Sequence, residues 1–259
     1  MAALLLVGLF GCGDSGSSGT SQIQAPTNRP EVFGSAIENG SPEAGVAWRD
    51  AALAWPKQGN INLLFENPSV QARFAEWMRA EPGSLQSLPE VVLPSMERLQ
   101  AFNDRLISID GAWGRLPDTE GVRPMAMRGL QPGLWFDLRH TATRGDVDRA
   151  TDILATMGTV PRVLHGFDGT ARGIADAVKF ANYIVWALND VQSVPLEFDD
   201  DQRRRISQAL IWVEEPSPFG VADPEIDPAR ANALREFDGN VRPLIVQARS
   251  RLLKQDGTD

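Results

Sequence analysis

Apolar residues recur along most of this chain at intervals of three and four, broken by prolines that follow capping side chains. That period marks one face of an α-helix. Ser41-Pro42, Asn67-Pro68 and Asp227-Pro228 each set a hydrogen-bonding side chain before a proline. A proline's missing N–H costs nothing in a first helical turn, so all three read as helix starts. The first predicted helix carries Trp48, Ala51, Ala52 and Trp55 and ends at Pro56; the second carries Val70, Phe74, Trp77 and Met78 and ends at Pro82. A third begins near Pro89 or Pro94 and runs through Met96, Leu99, Phe102, Leu106 and Ile109 to Gly111. Glycine and proline then crowd residues 110–129, a loop that offers a division of the helical region into two halves. Leu130, Leu134 and Leu138 mark a helix ending near Thr143, and Asp146 opens another that passes Ile153 and Met157 and ends at Gly158.

From Val160 the apolar positions Leu164, Phe167, Ala171, Ile174, Val178, Ala181, Val185 and Leu188 alternate spacings of four and three. This heptad phase persists past Gly166, Gly169 and Gly173, which predicts one long helix over 160–188. Between Ile174 and Leu188 only Asp176 and Lys179 are charged, so this helix should be the central one. Asp199, Asp200 and Asp201 stand four residues before Arg203, Arg204 and Arg205, a spacing that pairs charges along a helix and puts acid at its positive end. The last helical region runs from Pro228 to Leu252, with an interruption expected at 239–243 from Gly239 and Pro243. No run of alternating apolar residues reads as a strand. The expected fold is all-α, an irregular bundle or short stacked array of about seven or eight helices.

The N-terminus differs from everything after it. Residues 1–11 are uncharged and almost wholly apolar, and at Cys12 the composition turns to Gly, Ser, Thr, Asn and Pro until about Gly40. The apolar run is too short to span a bilayer, which takes about 20 residues, and reads as an export signal. Residues 12–40 read as a flexible tether with a reach of roughly 30 Å, and 41–259 as a single helical domain. Leu9-Phe10-Gly11-Cys12 resembles the lipobox of bacterial lipoprotein precursors. That resemblance implies cleavage before Cys12, a diacylglycerol on its sulfur and a periplasm-facing protein held in the cell envelope by lipid. Gly13 follows the cysteine and Asp14 comes one place later, an order that permits sorting to the outer membrane without specifying it. Acyl chains contribute about 0.8 kcal/mol per buried methylene, and two or more of them anchor a protein durably.

Composition narrows the chemistry. One cysteine and two histidines exclude an intramolecular disulfide and any three-histidine or four-cysteine zinc site. The formal charge of −9, with no basic patch, argues against a nucleic-acid partner. No metal site, cofactor or catalytic residue is assigned, because no phosphate loop, haem motif or Gly-x-Ser-x-Gly string occurs. Gly13-Asp14-Ser15-Gly16 matches the string around a trypsin-like nucleophile but lies in the Ser/Gly tether. Asp137 and His140 share a helix face at i,i+3, an arrangement open to metal binding or proton transfer, or to simple solvation. Trp48, Trp55, Trp77 and Trp186 fall on predicted buried faces, whereas Trp113 and Trp135 lie in or beside the 110–129 loop. Trp113, Trp135, Asp137 and His140 are therefore the candidate interaction surface.

These readings point first to a non-enzymatic lipoprotein of the bacterial envelope, a scaffold, assembly or interaction protein with an envelope protein as partner. The alternatives are a hydrolase acting on envelope glycan or peptide, and a module binding a small ligand between helices, with Trp113, Trp135 and His140 near its mouth.

Overall fold

The computed structural model describes residues 46–48, 50, 67–80, 85–109, 130–167 and 171–254, all within the unit Phe33–Asp259. The signal segment, Cys12, the tether, Trp55 and the 110–129 loop with Trp113 lie outside the described residues. Among those described, the chain is an all-α bundle of eight α-helices with two 3₁₀ turns, one π segment and no strand. None of these helices is long and apolar enough to cross a membrane.

Local signals set most helix ends. Helix α1 (Pro68–Met78) starts at the predicted proline, with Asn67 Oδ1 accepting the Ser69 N–H at 2.9 Å. A 3₁₀ turn at Glu90–Val92 leads into α2 (Leu93–Ile107), which buries Met96, Leu99 and Leu106. Helix α3 (Leu130–Thr143) closes with Gly145 at φ +69°, a left-handed residue that costs glycine little. Gly145 N–H donates to the Ala142 carbonyl and Asp146 N–H to that of Thr141, satisfying the last turn. Asp146 Oδ1 then caps the next helix by accepting the Arg149 N–H at 3.1 Å.

That helix, α4 (Val147–Phe167), corrects two expectations. It does not stop at Gly158, and 160–188 is not one helix, because α5 (Ala171–Gln192) is a separate element packed against α4. A single straight helix has no way to pack against itself. The heptad phase carried across because both helices face one core: Val160, Ile174, Val178, Ala181, Val185 and Leu188 are all buried. An apolar period reports which face is covered and not whether the chain turns back. The glycine at 158 inside α4 is tolerated for a tertiary reason. The Gly158 carbonyl accepts Trp212 Nε1–H at 2.8 Å, and a Cβ at Gly158 would stand 2.9 Å from the Ala209 carbonyl oxygen.

As expected, the 174–188 stretch is central: α5 packs against α3, α4, α7 and α8. Helix α6 (Asp200–Ala209) begins with a full capping box between Asp199 and Gln202. Arg203 and Arg204 pair with Asp200 and Asp201 one turn back, at 2.6 and 2.7 Å, and Arg205 also reaches Asp152 of α4. A 3₁₀ turn at Ile211–Glu214 follows, and Asp227 caps α7 (Pro228–Glu236). The interruption predicted at 239–243 is a π segment, Phe237–Val241, leading into α8 (Arg242–Lys254) with Pro243 in its first turn. Trp212, Phe219 and Phe237 form a closed aromatic group here, with ring centroids 4.8 to 5.9 Å apart.

Gly158 and Gly239 should answer alanine oppositely. Gly158→Ala forces the α4–α6 crossing apart and should lower stability by about 2 kcal/mol. At Gly239 nothing lies within 4 Å of an added Cβ, so Gly239→Ala should raise stability by roughly 0.5–1 kcal/mol. Urea unfolding midpoints measure both.

Candidate functional site

The polar residues singled out on α3 are buried, contrary to a surface role. Leu134 and Leu138 suggest one apolar stripe, yet α3 packs against α2, α4 and α5, so its polar face is covered as well. Asp137 is 0 % exposed. Its carboxylate accepts five hydrogen bonds: Gln100 Nε2 at 2.8 Å, Thr141 Oγ1 at 3.2 Å and Arg149 Nε at 3.3 Å on Oδ1, Asn103 Nδ2 at 3.0 Å and Arg149 Nη2 at 2.7 Å on Oδ2. A buried carboxylate is expensive unless paired and hydrogen-bonded, and here both conditions are met from three helices. Arg149 completes the node by donating to Asp104 Oδ1 at 2.7 Å. Burial opposes the charge of Arg149, but the hydrogen bonds and charges of Asp137 and Asp104 outweigh it and hold its pKa above the ordinary arginine value.

A second buried ion pair lies two residues along the helix. Arg139 and Asp190 are each 2 % exposed, with Arg139 Nε 3.4 Å from Asp190 Oδ2. The guanidinium donates to the carbonyls of Met78 and Ala80 at 2.8 and 2.6 Å, finishing α1, whose terminal carbonyls carry partial negative charge. It also lies over two aromatic rings, with Arg139 Cζ 5.6 Å from the Trp77 centroid and 5.5 Å from that of Trp135. Trp135 Nε1–H donates to Asp190 Oδ2 at 2.6 Å, so one indole serves both members of the pair. Burial pushes the Asp190 carboxyl up, against Arg139 and the Trp135 hydrogen bond, and pushes Arg139 down, against Asp190.

Trp135 carries this arrangement to the surface. It is half-buried, and its ring lies 5.2 Å from Trp186 and 5.8 Å from Tyr183, which themselves meet edge to face at 4.9 Å. Trp186, expected among the buried tryptophans, is 43 % exposed. It stands on the side of α5 left uncovered by its helical neighbours. Trp48 and Trp77 are buried as expected, and Trp212, which no sequence feature distinguished, is fully buried.

His140 is 6 % exposed, and among the described residues its Nδ1 has no hydrogen-bond partner. It does not form a dyad with Asp137, whose oxygens are taken by other donors. Asp148, Thr151, Asp152, Asp201, Gln202 and Arg205 line an open depression of about 300 Å³ between α4 and α6. Its carboxylates are engaged by Gln202, Arg204 and Arg205. Among the described residues no cluster of three or more His, Cys, Asp or Glu is arranged to hold a metal ion.

Of the three predicted residues on α3, Asp137 and His140 are buried, and Trp135 reaches the surface beside the separate Arg139–Asp190 pair. Sequence reasoning passed over Gln100, Asn103, Arg149 and Asp190, each a polar residue on an amphipathic helix that reads as solvated until its neighbours are known. The one available signal was Asp137-Leu138-Arg139-His140 itself, three polar groups in a helix flanked by apolar residues on both sides. No protein-family model matches this chain, and neither does any curated protein or solved structure.

Removing one partner of the node exposes its cost. Asp137→Ala leaves Arg149 with Asp104 alone and should destabilise the fold by about 3 kcal/mol. Asp201→Ala, which removes a surface partner of Arg204, should stay within about 0.5 kcal/mol of the parent in the same urea titration.

Proposed function

We propose that this protein is a lipid-anchored helical scaffold of the bacterial cell envelope, presenting an aromatic surface to an envelope protein partner. The observation that carries the reading is an uncharged apolar leader that ends at the chain's single cysteine, ahead of a Gly/Ser-rich stretch. Lipidation would also occupy a thiol that otherwise has no partner within the chain.

The contact surface is the group of Trp186, Tyr183 and Trp135. Tryptophan and tyrosine are enriched where protein interfaces concentrate their binding energy, because a large rigid ring buries area at little entropic cost. Here the rings brace one another, and Trp135 is fixed from beneath by Asp190. A platform held in this way loses little freedom when a partner covers it.

Fractionation of bacteria producing the full chain tests the anchor. The wild type should sediment with membranes and require detergent for release, with mass spectrometry finding an acylated Cys12 as the first residue. Cys12→Ala should move to the soluble extract. A wild-type protein that is soluble, or that keeps its leader or a free thiol, overturns the reading. A photo-crosslinking residue at position 186 should then yield one dominant adduct of defined mass from intact cells, whereas the same residue at exposed Arg204 should not.

A further inference from the structure

The chain has two imidazoles, and His140 is buried on α3 one turn beyond Asp137, the carboxylate at the junction of α2, α3 and α4. Its side chain is 6 % exposed and, among the described residues, Nδ1 has no hydrogen-bond partner, a setting that favours the neutral ring over a charged one. The charges facing it are Asp137 on its own helix, Arg144 just past that helix and Arg149 from α4. From α2 come the amides of Gln100 and Asn103, on Asp137, and the carboxylate of Asp104, on Arg149. Arg139 of α3 and Asp190 of α5 face each other, with Nε 3.4 Å from Oδ2.

We propose that this junction is an acid-released clasp: proton uptake by His140 frees α2 from α3 and α4 while the bundle around α5 stays folded. The reason lies in the count of acceptor sites. A carboxylate offers about four lone-pair positions, and Asp137 already takes five donors. An imidazolium one turn away gains a hydrogen bond from Asp137 only by displacing one of them. Displacing Gln100 or Asn103 cuts a polar tie to α2, and displacing Arg149 strands a guanidinium that is largely buried. Arg144 and Arg149 repel the new charge in either case. Burial first, then Arg144 and Arg149 with Asp137 opposing, keeps the ring's pKa below the ordinary histidine value.

The sign follows from that depression. In the opened state His140 recovers its ordinary pKa near 6.5 and takes a proton that the closed state refuses. The closed junction is therefore most favoured above pH 6.5 and loses ground as pH falls from there toward the folded-state value. With at most one proton taken up, the opening constant rises as pH falls through that window, by no more than about tenfold per pH unit. Opening is local because α2 packs on α3 and α4, whereas α5 has its own contacts with α7 and α8.

Hydrogen exchange of the full chain read by mass spectrometry between pH 7.5 and 5, with exposure times scaled for the intrinsic rate, decides the matter. Wild-type peptides from 93–107 should open progressively more below pH 6.5, by up to about tenfold per pH unit, with those from 174–188 unchanged. His140→Gln should abolish the dependence, and His165→Gln should keep it. Should His140→Gln not fold, His140→Phe fills the same space without a titrating nitrogen and carries the comparison. A flat wild-type profile, a profile that survives loss of His140, or one shared equally by 174–188 overturns the clasp.

Discussion

A fully buried carboxylate governs how α2, α3 and α4 meet. Asp137 is placed by α3, and the donors that make its charge tolerable come from α2, from α4 and from α3 itself. A shift of α2 strips Gln100 and Asn103 from the carboxylate and Asp104 from Arg149, and a shift of α4 against α3 breaks the ion pair itself. Apolar packing is forgiving of small rotations, whereas a buried hydrogen-bonded charge is not. The node therefore acts less as a source of net stability than as a constraint on how α2, α3 and α4 are set against one another.

The same economy appears at helix ends, where guanidinium groups finish what the backbone leaves open. Arg139 donates to the carbonyls of Met78 and Ala80 at the end of α1. Arg249 donates to the Ser207 carbonyl in the last turn of α6, and Arg242 to the carbonyls of Val213 and Glu215 around the 3₁₀ turn beyond it. Each places a positive group where helix carbonyls accumulate negative charge, and each comes from a helix distant in sequence. Arg249 and Arg162 add carboxylate partners at Glu214 and Glu215, so the acids that sit unfavourably at a helix end are neutralised by tertiary contact. In a chain with net negative charge, arginines spent in this way join distant segments.

Buried charge and exposed ring are physically linked through Trp135. Its indole lies against Arg139, donates to Asp190 and touches Trp186, so the outermost aromatic surface is oriented by the innermost ion pair. For a protein read as a scaffold this is a reasonable division of labour. Binding faces need rigid anchors, and rigidity here derives from a pair that cannot be solvated in place.

Much of the fold was legible before any coordinates. Helix starts at Asn67-Pro68, Asp199 and Asp227-Pro228, the apolar stripe of α2, the central standing of 174–188 and the break near Gly239 all follow from local rules: which side chain caps a turn, where proline fits, which period an apolar face keeps. Those rules act within a few residues, so one sequence contains them. The reversal between α4 and α5 escaped because the heptad phase is the same on both sides of it. The burial of Asp137, Arg139 and His140 escaped because a polar face looks solvated until the helices covering it are placed. Gly158 was read as a stop and is a point of close approach, where Ala209 and Trp212 use the room that the missing side chain leaves. The sequence by itself determined where helices begin, how long their apolar faces run and that no strands are needed. Tertiary structure alone decided which polar residues are inside and which indole is outside, because burial depends on neighbours that are far away along the chain.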